Sequence, residues 1–234
     1  MSQKSFLTMA HRGASTYALE NSFEAFNKAI ELKAPMIETD IQESLDGHLV
    51  LMHDGNLDRT TRSKGAIKKM TIDQIKSIKL RNNEEIPLLD DVLKLLGEKV
   101  RFNLEIKVDN VEKKVNDLLN QYHLVEKTII SSFSFTTLKN LHDLNPQLHL
   151  AFLTFLPWTV LRVKYSFKKL QTSGIEAINP IAKVLSKSFV EQAHAQNFKI
   201  YPWTVDVKAE VLKLKDEYEV DGIITNVPDI LSKA

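Results

Sequence analysis

The chain has 234 residues, 43% apolar and 26% charged, with a net charge of +1 and no cysteine. These proportions suit a globular protein rather than a disordered one, and the balanced charge removes bulk electrostatics as a route to nucleic acid or a membrane surface. Without cysteine, neither disulfides nor thiolate chemistry is available.

Phe6 to Ala10 is a short apolar run ending in His11-Arg12-Gly13, with Leu7, Met9 and His11 on one face. A strand starting this early leaves no room for a signal peptide. No apolar run reaches the roughly 18 residues of a spanning helix, so a cytoplasmic protein without stable membrane association is expected. Asn21 to Leu32 predicts a helix, with Phe23, Phe26, Ala29 and Ile30 as its apolar stripe and Asn21 or Ser22 as its cap.

Pro35 to Asp54 predicts a strand, a turn and a second strand. Glu38 and Asp40 are two residues apart and so share a face, opposite Ile37 and Ile41. Asp46-Gly47 fits a tight turn with positive φ at both central residues, and the return strand ends at His53-Asp54. Residues 58–87 are polar and predict a small excursion over one end of the fold, with a short helix capped by Thr71. Pro87 to Leu96 predicts a helix closed by Gly97.

Val100 to Lys107 predicts a strand with Phe102, Leu104 and Ile106 on one face and Asn103, Glu105 and Lys107 on the other. Helices are expected at 110–122, 135–144, 188–196 and 207–217, and further strands at 128–131, 148–154, 175–178, 199–205 and 221–225. Residues 157–170 read as a helix or a longer loop. With 48–53 set aside as a hairpin appendage, eight strands start near residues 6, 36, 100, 128, 148, 175, 199 and 221. Eight βα units close into a TIM-type (β/α)8 barrel, within its usual size of about 250 residues. No linker or repeat interrupts the chain, so 1–234 reads as one domain with a small cap at 58–87.

The polar residues fall late in their strands, at the mouth where such barrels place their chemistry. Glu38, Asp40 and Glu105 repel one another unless a proton or a cation sits between them. All-oxygen ligation suits a hard divalent cation, Mg²⁺ or Ca²⁺. Each acid alone could instead pair with a lysine or arginine, but three on inward faces need stronger compensation. His11 and His53 can serve as an acid and base pair near neutral pH. The other five histidines, His48, His123, His142, His149 and His194, read as ordinary surface or hydrogen-bonded ones. Arg12 and Lys107 would bring positive charge to the same mouth, either to neutralise the acids or to bind an anion such as phosphate. Trp203 would wall the pocket or simply pack.

His11-Arg12-Gly13, Glu20-Asn21-Ser22, Glu38-x-Asp40, Asp46-Gly47, His53-Asp54, Arg59-Thr60-Thr61, Ile86-Pro87, Glu105-x-Lys107, Ser131-Ser132-Phe133, Trp203-Thr204-Val205 and Asp221-Gly222-Ile223-Ile224-Thr225-Asn226-x-Pro228 together resemble the glycerophosphodiester phosphodiesterases. The matches run in order over nearly the whole chain. The resemblance implies metal-dependent hydrolysis of a small-molecule glycerophosphodiester to an alcohol and sn-glycerol 3-phosphate. It implies Glu38, Asp40 and Glu105 as metal ligands, His11 and His53 as the acid/base pair, and Arg12 and Lys107 as phosphate contacts. Three positions depart from the family's usual pattern: Leu19 for proline, Ser22 for threonine, and Asp206 for asparagine. The short cap suggests an open site for soluble diesters. The oligomeric state stays open, a homodimer included. A related barrel acting on lipid, with 152–158 as its apolar rim, and a non-catalytic binding barrel are the alternatives.

Overall fold

The computed structural model describes residues 6–157, 159–161 and 165–232. Eight parallel strands form a nearly closed barrel with helices between them: β1 Leu7–His11, β2 Met36–Glu43, β4 Arg101–Ile106, β5 Thr128–Ser132, β6 His149–Thr154, β7 Ile175–Pro180, β8 Lys199–Ile200 and β9 Gly222–Thr225. They run in the order β8-β7-β6-β5-β4-β2-β1-β9. The short β8 is stitched to β9 by three backbone bonds: Asp221 N to Ile200 O (3.1 Å), Ile224 N to Pro202 O (2.9 Å) and Val205 N to Ile224 O (3.0 Å). The remaining strand, β3 Leu49–Leu51, pairs antiparallel with β2, as expected of a hairpin appendage.

Alternation along each strand separates two environments. Outward-facing Ile37, Ile41, Phe102, Leu104 and Ile106 pack on Phe26 and Ala29 of helix Phe23–Glu31, on Val92 and Leu96 of helix Leu89–Leu96, and on Val115 and Leu119 of helix Glu112–Gln121. Full burial of such side chains contributes about 1.5–3 kcal/mol each. Inside the barrel a second apolar cluster, Met9, Met36, Ile129, Ala151, Ala177, Tyr201 and Ile224, fills the lower layer. Above it the inward positions turn polar. His11 lies in register with Glu38, Glu38 with Asn103, and Asp40 with Glu105. The apolar layer is thus the floor of a polar well.

The cap excursion is less polar inside than its composition suggests. Val50, Met52, Leu57, Ile67, Ile72, Ile75, Leu80 and Ile86 form a small core of their own. Its helix Ile72–Lys76 starts at the expected Thr71, in a capping box with Gln74.

Two local expectations are corrected. The β2–β3 connection is not a two-residue turn: Ser44 N bonds His48 O, and only Gly47 of the Asp46-Gly47 pair takes positive φ, 86°. Asp46 instead accepts from Ser44 Oγ and the Ile72 backbone, which ties the hairpin to the cap. Of the two candidate caps for the first helix, Ser22 serves, accepting from Ala25 N at 3.1 Å. Asn21 sits at φ 51° and points elsewhere. In the stretch 157–170, Trp158 and residues 162–164 lie outside the described residues; a helix runs at Phe167–Gln171.

Candidate active site

A cavity of about 450 Å³ opens at the barrel mouth, within the usual range for small-molecule sites. Seven of the eight side chains singled out from the sequence line it: His11, Arg12, Glu38, His53, Glu105, Lys107 and Trp203. The eighth, Asp40, is fully buried and touches the lining through Arg12 and Lys107.

β2 delivers Glu38 and Asp40, and β4 delivers Glu105. All three are buried, and one oxygen from each lies within 4.8 Å of the others. Burial, then repulsion by Asp40 and Glu105, raises the Glu38 carboxyl well above its ordinary range. Burial and Asp40 push Glu105 up to about 7. Burial opposes ionisation of Asp40 as well, but Lys107 and Arg12 outweigh it and hold Asp40 below its usual value. Lys107 Nζ lies 2.6 Å from Glu105 Oε1 and 3.1 Å from Asp40 Oδ1, and Arg12 Nε lies 3.4 Å from Asp40 Oδ2. Lys107 is thus the cationic partner of both Asp40 Oδ1 and Glu105 Oε1. Three convergent buried carboxylates are the hard-oxygen donor set that fits a divalent cation.

Local backbone geometry places the first basic residue. Arg12 takes φ 57° and Gly13 φ 82° directly after β1. A side chain at Gly13 would press 2.7 Å from the Ala25 backbone, so only glycine lets the chain turn here against the first helix. The turn aims Arg12 N at Glu38 Oε2 (2.9 Å) and the guanidinium at Glu20 Oε1 (2.9 Å).

The two imidazoles have different partners. His11 Nδ1 lies 2.7 Å from Asn226 Oδ1, and its Nε2 lies 4.0 Å from Glu38 Oε2. Burial, reinforced by Arg12, lowers the His11 pKa to about 4. His53 Nδ1 lies 2.7 Å from Asp54 Oδ1. Arg59 bonds Asp54 Oδ2 at 2.7 Å and holds that carboxyl down at about 2. Arg59 also forks onto Glu20, which meets Arg12 on its other side.

The opposite wall is aromatic. Phe133 stacks on Phe155 with centroids 4.4 Å apart, and Trp203 meets both edge-on at 5.8 and 5.3 Å. Trp203 is held by its Nε1 donating to Asn179 O at 2.8 Å. The expected apolar rim at 152–158 is only partly exposed: Phe152 and Leu153 are buried, whereas Phe155 and Leu156 are open to solvent. Among the other histidines, His149 and His194 lie away from the cavity and pair with Glu176 and Asp221.

Several site residues, Glu20, Asn21, Asp54, Arg59 and Asn226, stand in the motifs that carry the resemblance but were given no role there. Asn21 donates to Asp40 Oδ2 at 2.9 Å and accepts from Thr39 at 2.6 Å. Glu20, Asp54, Arg59, Asn226 and Ser15 form the layer behind the histidines and Arg12. Membership of those motifs was the available signal for them, whereas Ser15 lies in none. Glu20, Arg59 and Asn226 reach the site across 8 to 215 residues of chain, which no local periodicity encodes.

The description of one family, "Glycerophosphoryl diester phosphodiesterase family", matches residues 11–230. A "Glycerophosphodiester phosphodiesterase" of Caldanaerobacter subterraneus subsp. tengcongensis is 35% identical over 96% of both chains. A crystal structure of glycerophosphodiester phosphodiesterase from Agrobacterium tumefaciens superposes with a TM-score of 0.84 at 24% identity, covering 97% of this chain and 99% of that one. A phosphodiesterase from Oleispira antarctica, solved in complex with the product sn-glycerol-3-phosphate, gives a TM-score of 0.86 at 22% identity, covering 97% and 95%.

Proposed function

The chain belongs to the glycerophosphoryl diester phosphodiesterase family, a family of hydrolases, and on that premise we propose that it splits small glycerophosphodiesters into an alcohol and sn-glycerol 3-phosphate at the barrel mouth. The observation that carries this reading is the convergence of three buried carboxylates, two imidazoles and two cationic side chains on one cavity. Glu38, Asp40 and Glu105 would hold the cation, Mg²⁺ or Ca²⁺. When bound, it supplies charge neutralisation to the diester and to its phosphoryl oxygens as the reaction proceeds. Arg12 and Lys107 bind the same oxygens.

His11 is the base in this reading. Its partner is a neutral amide and its environment keeps the ring uncharged, so Nε2 accepts the proton of an attacking hydroxyl, of water or of the neighbouring glycerol carbon. As the new P–O bond forms, the bond to the leaving alkoxide breaks. His53 gives that oxygen its proton, with its ring oriented by the Asp54 carboxylate 2.7 Å from Nδ1. Phe133 and Trp203 pack against the carbon skeleton and exclude water. In a cytoplasmic setting the substrates would be deacylated diesters. Among the described residues, no helix is long and apolar enough to cross a membrane.

Release of glycerol 3-phosphate from glycerophosphocholine tests the proposal. The exposed Phe155 and Leu156 favour one second reading, in which an acyl chain lies over the rim of the cavity. The cavity's size favours the small substrate. Measured kcat/KM should be higher for glycerophosphocholine or glycerophosphoethanolamine than for lysophosphatidylcholine. A strong preference for the acylated substrate would replace the first reading with the second.

Cation binding should also release protons. Glu105 is raised to about 7 and Glu38 well above its ordinary range, so at lower pH these carboxyls carry protons that a cation must displace. Affinity for Mg²⁺ should therefore weaken as pH falls from above 7 to below it, up to about tenfold per pH unit for each proton displaced. Titration calorimetry in two buffers of different ionisation heat counts those protons. A pH-independent affinity with no proton release would show that these carboxyls are not where the cation binds.

A further inference from the structure

We propose that Arg59, a residue of the cap, is a positioning residue that orients His53 and Arg12 together, through the carboxylates of Asp54 and Glu20. The inference rests on the reading of His53 as proton donor to the leaving group and of Arg12 as a phosphate contact.

Arg59 stands on a part of the cap that is itself fixed. Arg81 Nε donates to Arg59 O at 2.8 Å, and Arg81 N donates to Thr60 O at 2.9 Å. Thr61 Oγ1 donates to the carbonyl of Leu57 at 2.7 Å, and Leu57 belongs to the cap's apolar core. From this base the guanidinium makes three hydrogen bonds to two carboxylates. Nε donates to Asp54 Oδ2 at 2.7 Å, while the two terminal nitrogens donate to Glu20 Oε2 and Oε1 at 2.5 and 2.7 Å. Each carboxylate then reaches on to the barrel. Asp54 Oδ1 lies 2.7 Å from His53 Nδ1, and Glu20 Oε1 also accepts from Arg12 at 2.9 Å.

The two functional side chains depend on these carboxylates for their direction. The His53 backbone is fixed by Gln42 Nε2, which donates to its carbonyl at 3.1 Å. Among the described residues, its ring is hydrogen-bonded to Asp54 and to nothing else. The Asp54 side chain is itself 35% exposed. An exposed carboxylate turns about its last bond unless both oxygens are engaged. Here one oxygen meets the ring and Arg59 holds the other. Glu20 stands in the same way between Arg59 and Arg12. A planar guanidinium carries donors along more than one edge, so it serves two carboxylates in fixed directions. An ammonium is a point charge on a flexible stem and cannot replace it there. The cap thus reaches the barrel mouth through one residue, and that residue acts on both the acid side and the phosphate side of the site.

Arg59→Gln and Arg59→Lys, assayed with Mg²⁺ present, separate this role from mere fastening of the cap. On glycerophosphocholine, kcat of Arg59→Gln should fall roughly 10–10²-fold, the cost of a small misplacement of a reacting group. KM should rise as Arg12 loses its orientation. Arg59→Lys should recover little of either, because it keeps the charge and loses the fork. On a nitrophenyl diester, whose leaving group departs without a proton, kcat of Arg59→Gln should stay close to that of the unaltered protein, while the rise in KM persists. Variants of one branch should divide the two effects. Asp54→Asn should lower kcat on glycerophosphocholine with little change in KM, and Glu20→Gln should raise KM with little change in kcat. Adding Arg59→Gln to Asp54→Asn should lower kcat little further, since both act on one ring. A fastening role predicts instead losses that are equal on the two substrates and that add. Either of those results, unchanged kinetics in Arg59→Gln, or full recovery in Arg59→Lys overturns the proposal. Full glycerophosphocholine activity in His53→Ala would instead remove His53 as the proton donor. The KM of Glu20→Gln, and a shift of the His53 Nδ1–H resonance in Arg59→Gln, would still judge the bridge itself.

Discussion

Alanine in place of His11 or His53 should lower turnover on a glycerophosphodiester roughly 10²–10⁴-fold, the usual contribution of a positioned acid or base. Neither ring belongs to the apolar clusters that hold the barrel or its cap, so circular dichroism and unfolding midpoints should change little. The two variants should differ in one respect. A nitrophenyl diester has a leaving group that departs without a proton, so it should rescue His53→Ala and leave His11→Ala slow. The double variant should lose less than the product of the single losses, because groups that act as a unit are not additive. Near wild-type rates for both single variants would leave a phosphodiester-binding barrel without this acid/base pair.

Removing the cation should have a larger effect, the loss of measurable activity. Three buried acids against Arg12 and Lys107 leave the cavity one negative charge in excess when all are ionised, and a diester anion would have to enter that field. In the metal-free protein the raised Glu38 and Glu105 carboxyls relieve the excess by taking protons, which also removes the field that would attract a cation. Glu105→Gln retains the shape and removes one charge, so it should weaken Mg²⁺ binding strongly and raise the concentration needed for half-maximal rate. Unchanged affinity in that variant would show that Glu105 is not a ligand. Because protons and cation compete, added Mg²⁺ should move the acid limb of the rate profile to lower pH.

The barrel was legible because its strands obey a period of two between recognisable stops. All eight begin within one residue of their expected positions, from Leu7 to Gly222. The carboxylate pair was legible for the same reason: Glu38 and Asp40 had to share a face, and an apolar Ile37–Ile41 face opposite them had to meet helices. Three kinds of feature were not legible. Asp46-Gly47 was read as a two-residue turn, yet Asp46 is engaged by Ser44 and Ile72, a contact that exists only once the cap has folded back. Asn21 was one of two candidate caps beside Ser22, which does cap the helix; its left-handed backbone instead turns Asn21 onto Asp40. The third kind is long-range: Arg59 to Glu20, and Asn226 to His11, depend on barrel closure and on loops whose spacing carries no period. Lys107 was expected either at the phosphate or on the acids, and its ammonium lies on Asp40 and Glu105.

The central claim is that the well of three acids, flanked by two imidazoles, is a cation-dependent diesterase site. It is tested most directly by following glycerol 3-phosphate release from glycerophosphocholine before and after exhaustive dialysis against a chelator. The site geometry predicts product formation by the purified protein, its loss on dialysis, and its return on addition of Mg²⁺ or Ca²⁺. Undiminished release after the cation has been stripped would contradict the account.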